Sequence, residues 1–95
     1  MNPEKNEQVS LNAAKSRYEL SADGYDCIAE YVIHGDRIVF THTFVPPELR
    51  GRGMAEKLIR YALADARTKS LKVVPACSYV ATFIDRHQEY HDLRA

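Results

Sequence analysis

The sequence predicts an α/β (α+β) fold in which an antiparallel β-meander is followed by a β-α-β-α unit. The first half of the chain alternates apolar with polar residues and contains two hairpin-turn signals. From Met54 onward the apolar residues take the spacing of a helix. A short apolar strand and another helical segment then follow. The last two strands are therefore expected to be parallel and joined by a right-handed crossover.

Four strands are predicted in the first half. The turn signals Asp23-Gly24 and His34-Gly35-Asp36 place a hairpin on each side of the third strand, in which apolar residues alternate. The fourth strand ends at Pro46-Pro47, because a proline nitrogen cannot donate to a β-ladder. The predicted strands cover residues 9–11, 17–20, 25–33 and 37–45, with a turn at residues 12–15.

The second half is predicted to contain two helices around one strand. The first helix covers residues 55–68, and the strand covers residues 71–74 and stops at Pro75. The second helix covers residues 78–87, and the hydroxyl of Ser78 is expected to cap it. One face of the first helix is apolar and is expected to be buried; it carries Leu58, Tyr61, Ala62 and Ala66.

Length and composition restrict the classes of protein that fit. The 95 residues are expected to form one domain, residues 9–95, behind a disordered polar tail at residues 1–8. Thirteen basic residues balance thirteen acidic ones, which argues against bulk binding to nucleic acid or to a membrane surface. No run approaches the roughly 18 apolar residues of a membrane span, and the amino terminus has no apolar signal-peptide core.

The two cysteines give no sign of a metal site or a disulfide framework. Cys27 and Cys77 are far apart in the chain and neither belongs to a Cys-x-x-Cys pattern. This usage fits a reducing compartment, so we expect the protein to be cytoplasmic.

The segment Arg50-Gly51-Arg52-Gly53 carries the most specific functional signal. It joins a strand to a helix, so its backbone amides and the positive helix end can face an anion. The two glycines permit positive φ and remove β-carbons that would hold a phosphate away from the main chain. The two arginines add full charge and are expected to govern affinity. We interpret the segment as a pyrophosphate cradle; the alternative is an arginine- and glycine-rich turn without a ligand.

The pattern Arg50-x-x-Gly53-x-Ala55 resembles the Q/R-x-x-G-x-G/A signature of the GNAT superfamily of acetyl-CoA-dependent acyltransferases. With the further segments His42-Thr43, 45–53, 72–79, His87 and Tyr90, residues 18–93 are similar to a branch of small GNAT-like proteins. The resemblance implies a minimal GNAT fold whose two parallel strands splay apart. Members of this branch lack the helices that most GNAT enzymes have after the first strand, which implies an open acceptor side.

The resemblance also implies a binding site for acetyl-CoA or coenzyme A. Backbone groups at the end of the fourth strand would bind the amides of pantetheine; they belong to Phe44, Val45 and Pro46. The cradle would hold the pyrophosphate through Arg50, Gly51, Arg52, Gly53, Met54 and Ala55. The opposite wall would be formed by Cys77, Ser78, Tyr79 and Phe83.

Two side chains are candidate catalytic groups. In this branch the cysteine at the Cys77 position is often regarded as reactive, either as an acyl-carrying nucleophile or in proton transfer. A thiol just before a helix can have a lowered pKa, but Cys77 can equally be a small buried hydrophobe. His42 shares a strand face with Phe40 and Phe44; it is either a general base or a satisfied core histidine, and the structural role is the favoured one. No metal ligand is predicted.

The leading functional expectation is an N-acetyltransferase that moves acetyl from acetyl-CoA to an amine of an unidentified acceptor, either a small molecule or a protein. The alternative is a CoA-binding module with little or no transferase activity. A third interpretation takes Arg50, Arg52, Lys57 and Arg60 as a basic patch for nucleic acid, but the neutral chain disfavours it. Neither nucleic acid nor a membrane is an expected partner, and a monomer or weak dimer is expected.

Overall fold

The structure, a computed structural model, describes residues 8–95. The predicted disordered tail therefore lies outside the described residues, except for Gln8. Five strands and two helices form the domain. The strands are β1 (Val9–Asn12), β2 (Arg17–Ala22), β3 (Tyr25–His34), β4 (Arg37–Phe44) and β5 (Lys72–Pro75), and the helices are α1 (Met54–Thr68) and α2 (Ser78–Arg86). Short 3-10 helices occupy Ala13–Lys15, Pro47–Leu49 and Gln88–Leu93.

The strands form one sheet in the order β1-β2-β3-β4-β5. The first four strands are antiparallel neighbours, which confirms the predicted meander. β4 and β5 are parallel, and their register runs from Arg37 opposite Lys72 to Phe40 opposite Pro75. Because α1 connects these two strands, the predicted strand, helix and strand unit is also confirmed.

Both helices pack on the same side of the sheet. The guanidinium of Arg60 on α1 lies 5.3 Å from the centre of the Phe83 ring on α2, and one buried cluster joins both helices to the strands. The hydroxyl of Tyr18 donates to Asp65 on α1 across 2.6 Å, which ties this helix to β2. The core includes Leu20, Cys27, Ala29, Ile38, Phe40, Leu58, Ile59, Ala62, Leu63, Ala66, Val73, Val80 and Ile84.

The other face of the sheet is open among the described residues. Every buried side chain of β2 and β3 belongs to the face that meets the helices, as alternation along a strand requires. On the opposite face, Val32 is 44% and Phe44 42% exposed. The described part of the chain therefore leaves this face of the sheet exposed at both positions.

A β-bulge in β4 changes which side chains reach the core. Tyr31 pairs with Phe40 but Glu30 pairs with His42, so Thr41 is an extra residue in the ladder. Beyond the bulge the alternation is shifted, and His42 lies on the face opposite to Phe40. The prediction of a core histidine that shares a face with Phe40 is wrong, because His42 is exposed.

Three predictions about the helices also need correction. Tyr61 is 44% exposed, whereas Leu58, Ala62 and Ala66 are buried as expected. α2 begins at Ser78 but its N-cap position is held by Cys77, which has extended backbone angles, so Ser78 is not the cap. No side chain makes a capping hydrogen bond there, and α2 ends one residue earlier than predicted, at Arg86.

Candidate active site

The loop between β4 and α1 has the backbone conformation that the glycines predicted. Gly51 has φ of 78° and Gly53 has φ of 72°, and Gly53 occupies the N-cap position of α1. A β-carbon added at either glycine would meet no other atom within 4 Å. These positions therefore favour glycine because of their left-handed backbone and not because of crowding.

The loop and the first turn of α1 contain backbone N–H groups without a hydrogen-bond acceptor in the described part of the chain. The first amide of this region with a helical acceptor is that of Lys57, which donates to Gly53 across 3.2 Å. Within residues 8–95, no acceptor is recorded for the amides of Gly51, Gly53, Met54 or Ala55. They form a row of donors at the positive end of a 15-residue helix.

The two arginines of the loop point to different places. The Arg50 Nε donates to the carbonyl of Val45 across 3.1 Å, and this side chain lines the cleft beside the glycines. The Arg52 Nη1 lies 2.8 Å from the Asp23 carboxylate in the turn between β2 and β3. Arg52 does not line the cleft, so the structure brings only one of the two predicted guanidinium groups to it.

The cleft at the start of α1 has a volume of about 290 Å³. Seven predicted site residues line it: Val45, Arg50, Gly51, Gly53, Met54, Ala55 and Tyr79. Leu49 and Glu56 line it as well, and the sequence interpretation missed both. Phe83, which is buried, lies in the wall of a neighbouring groove instead. The cleft lining does not include Phe44, Pro46, Cys77 or Ser78.

The parallel ladder between β4 and β5 stops before β4 ends. The last pair is Phe40 with Pro75, and the Cys77 amide then donates to the Phe40 carbonyl across 2.8 Å. β4 continues to Phe44 without a further partner from β5. The ladder ends because β5 itself ends at Pro75, so the last residues of β4, where the resemblance implied a splay, have no β5 partner, and Cys77 lies at this end of the ladder.

The thiol of Cys77 is half-buried and has polar neighbours. Its Sγ lies 3.4 Å from the Thr43 Oγ1, a hydroxyl that can accept from the thiol and donate to the thiolate. Burial acts to raise the pKa of this thiol, but the Thr43 hydroxyl and the amides of Val80 and Tyr79 outweigh it. The pKa of Cys77 is therefore lower than that of an ordinary cysteine, whereas burial raises the pKa of Cys27.

Thr43 is a site residue that the sequence analysis named only as part of the resemblance, without a role. It faces Cys77 because the bulge at Thr41 shifts the alternation, and nothing in the residue types of β4 reveals a bulge. His42, the adjacent residue, is exposed on the opposite face and has Glu30 as its cross-strand neighbour. Within the described part of the chain no hydrogen bond joins His42 to Cys77.

Two kinds of structural feature are absent between residues 8 and 95. No cluster of His, Cys, Asp or Glu side chains there could hold a metal ion. Neither helix in that part of the chain is long and apolar enough to cross a membrane.

Comparison with known proteins gives a consistent assignment. Residues 17–93 match the family of GCN5-related N-acetyltransferases. The fold is similar to the NMR solution structure of a GCN5-like protein from Staphylococcus aureus, with a TM-score of 0.75 and 22% sequence identity. The alignment covers 95% of this chain and 89% of that one, so the whole domain shares the fold.

Proposed function

This chain belongs to the GCN5-related N-acetyltransferase family, and we propose that it transfers the acetyl group of acetyl-CoA to an amine of an acceptor. The observation that carries the proposal is the row of amides at the start of α1 that lack acceptors within residues 8–95. Such a row, next to two glycines with positive φ, suits a diphosphate. Acetyl-CoA is the acyl-donor substrate in this proposal.

Backbone atoms supply most of the binding. The amides of Gly51, Gly53, Met54 and Ala55 would donate to the pyrophosphate, and Arg50 would add one full charge from the cleft wall. The backbone of Phe44 and Val45, beyond the last β5 partner, would pair with the amides of pantetheine as an added strand does. Pro46 is not suited to this role, because it has no N–H and its carbonyl already accepts from the Leu49 amide across 2.9 Å. Cys77, Ser78 and Tyr79 would form the opposite wall.

Cys77 is the proposed catalytic residue because it combines position with a lowered pKa. As a nucleophile, its thiolate would form a bond to the acetyl carbon while the carbon–sulfur bond to CoA breaks, and CoA leaves as a thiolate. The amine would then attack the acetyl-cysteine, its nitrogen–carbon bond forming as the Cys77 thiolate leaves and takes up the amine proton. Alternatively, the thiolate accepts the proton of an amine that attacks the acetyl-CoA directly.

The exposed position of His42 suits a second proton acceptor. The His42 imidazole is exposed at the surface of the sheet and is not held in the core. We propose that it takes protons released on the open face of the sheet.

The basic patch does not favour nucleic acid. The guanidinium of Arg60 lies 3.0 Å from Glu56 and 3.4 Å from Glu89, and that of Arg52 contacts Asp23. These carboxylates offset the positive charge that a phosphate backbone would need.

Calorimetry with three ligands tests the binding step. Acetyl-CoA and CoA should bind, whereas pantetheine, which lacks the diphosphate, should bind far more weakly. Equal affinity for all three ligands would show that the loop does not bind the diphosphate, and the proposal would then fail.

Mass spectrometry tests the role of Cys77 and separates the enzyme from a CoA-binding module. If Cys77 is the nucleophile, an adduct of about 42 daltons should appear on the protein after incubation with acetyl-CoA and be absent from Cys77→Ser; if it only accepts the amine proton, no adduct should form. The matched control is Cys27→Ala, which removes the other cysteine and should keep the adduct. If Cys77→Ser retains full transferase activity toward an amine, neither proposed role of the thiol holds.

A further inference from the structure

The two edges of the sheet differ in how the chain covers them. At the β5 edge the carboxyl terminus adds a bridge, in which Arg94 pairs with Val73 and the Ala95 amide donates to the Val73 carbonyl across 2.9 Å. At the opposite edge, β1 pairs with β2 on one side, and no strand of the described chain lies on its outer side. An open strand edge is a template for pairing with another chain.

The register of the sheet shows which backbone groups of β1 face outward. The Tyr31 amide donates to the Ser16 carbonyl across 3.0 Å, so Tyr31 directs its backbone groups toward the β2 side. Residues of an antiparallel strand direct these groups alternately to the two sides. Followed through the β3–β2 and β2–β1 pairs, this alternation directs the N–H and C=O groups of Val9 and Leu11 outward. Between residues 8 and 95 no partner is recorded for these groups.

β1 has none of the features that commonly protect an open edge. Its sequence, Val-Ser-Leu-Asn, contains no charged residue and no proline, and it pairs with β2 along its whole length without a bulge. The side chains of Val9 and Leu11 pack against the core, which places Ser10 on the exposed face of the sheet. An added strand could therefore extend the sheet without displacing any strand that the structure describes.

The outer edge of β1 is complementary to itself. When two β1 strands pair antiparallel with Ser10 opposite Ser10, Val9 of each copy lies opposite Leu11 of the other. Each of these pairs exchanges two hydrogen bonds, so all the outward N–H and C=O groups of Val9 and Leu11 are satisfied in both copies. A parallel arrangement of two identical edges would not produce a closed two-fold pair.

Charge at the two ends of β1 favours the antiparallel arrangement. Lys15, in the turn that follows β1, is exposed and makes no ion pair with the rest of the described chain. Asp23 lines a depression of about 570 Å³ at the start of β1, and its side chain is 65% exposed although it contacts Arg52. Antiparallel pairing brings the Lys15 end of each copy toward the Asp23 end of the other, so the opposite charges attract.

We propose that the protein forms a dimer through β1, in which two sheets join into one across a two-fold axis perpendicular to the sheet. The helices of both copies then lie on the same side. The cleft at the start of α1 stays open in both copies, because β1 contributes no residue to its described lining. So short an edge makes a weak dimer that forms at high protein concentration. The proposal does not depend on the proposed function.

Disulfide trapping tests the register of the dimer. The two Ser10 residues face each other in a non-hydrogen-bonded pair, with Cα atoms about 4.5 Å apart, a separation that a disulfide can span. Ser10→Cys, in a Cys77→Ser background that leaves only the buried Cys27, should form a covalent dimer under mild oxidation. The matched control is Ser21→Cys in that background, another exposed serine on the same face. Its two copies lie roughly 20 Å apart in the dimer and should not cross-link.

Sedimentation equilibrium tests the dimer without a cross-link. As the concentration of the wild-type protein rises, its mean mass should increase from 10.8 kDa toward twice that value. Val9→Pro removes an outward N–H from each copy but no hydrogen bond to β2, and proline is tolerated at the first residue of a strand. Its dimer should dissociate about 10-fold more readily. A circular dichroism spectrum like that of the wild type would show that the variant keeps its fold.

Three results would overturn the proposal. The first is a wild-type mass that stays at 10.8 kDa up to about millimolar concentration, where even a weak dimer forms. The second is cross-linking of Ser10→Cys that does not exceed that of Ser21→Cys, which would mean random collision. The third is a dimer that folded Val9→Pro leaves unchanged, because the contact would then lie elsewhere. If Val9→Pro unfolds, the two cysteine variants decide.

Discussion

The two helix N-termini near the end of the β4–β5 ladder present different kinds of polar group. At the start of α1 the donors are backbone amides, set in place by two glycines with positive φ. At the start of α2 the polar groups include two side chains, the Cys77 thiol and the Thr43 hydroxyl, 3.4 Å apart. The first end is built to hold an anion of fixed shape, and the second presents a group that can react. Anion binding should therefore depend on backbone conformation, and reactivity on individual side chains.

The largest expected effect comes from changing the backbone at the first end. Gly53→Val should abolish measurable CoA binding, because a β-branched residue resists φ of 72° and the N-cap would move. Calorimetry measures the loss. The matched control is Gly35→Val, which meets the same kind of strain, φ of 60°, in the hairpin between β3 and β4. Both variants should lose about 1 to 3 kcal/mol of stability, but only Gly53→Val should lose binding. Equal binding losses would mean that the loop acts only through stability.

Arg50 and Arg52 test this comparison further, because they lie in the same loop but their guanidinium groups contact different parts of the protein. Arg50→Gln should weaken CoA binding about 10-fold, because this guanidinium lines the cleft. Arg52→Gln should change it by less than about 3-fold, because its guanidinium contacts Asp23 away from the cleft. Calorimetry at one fixed ionic strength compares them. Equal losses would show that both arginines act on the ligand, as the sequence alone suggested.

The sequence predicted the backbone end of the site better than the side-chain end. Glycine adopts positive φ more readily than any other residue, so Gly51 and Gly53 just before a helix predict the conformation of the loop. The meander and the crossover followed similarly from alternation and from helical spacing. The position of Thr43 and the exposure of His42 depend on the bulge at Thr41, which arises from pairing with β3 and leaves no residue signature. Likewise, Arg52 could be assigned to Asp23 only once the β2 to β3 turn was placed beside the loop.

The smallest expected effect concerns the side-chain end and is read from its pH dependence. The Thr43 hydroxyl and nearby amides keep the pKa of Cys77 below its ordinary value against the opposing effect of burial. In Thr43→Val, which keeps the side-chain shape, the pKa should rise, so less thiolate is present at any pH below it. The rate of alkylation by iodoacetamide should then reach half its maximum at a higher pH than in the wild-type protein.

Thr68→Val serves as the control for Thr43→Val. Its hydroxyl donates to the Ala64 carbonyl at the end of α1, far from the thiol, so the alkylation profile should not move. Cys27 should contribute little to the measured rate, because it is buried and its pKa is raised. An unchanged profile in Thr43→Val would mean that the helix amides alone maintain the thiolate. Both helix N-termini of the site would then act through backbone N–H donors. They would differ only in the group that those donors face, which is the diphosphate at α1 and the Cys77 thiolate at α2.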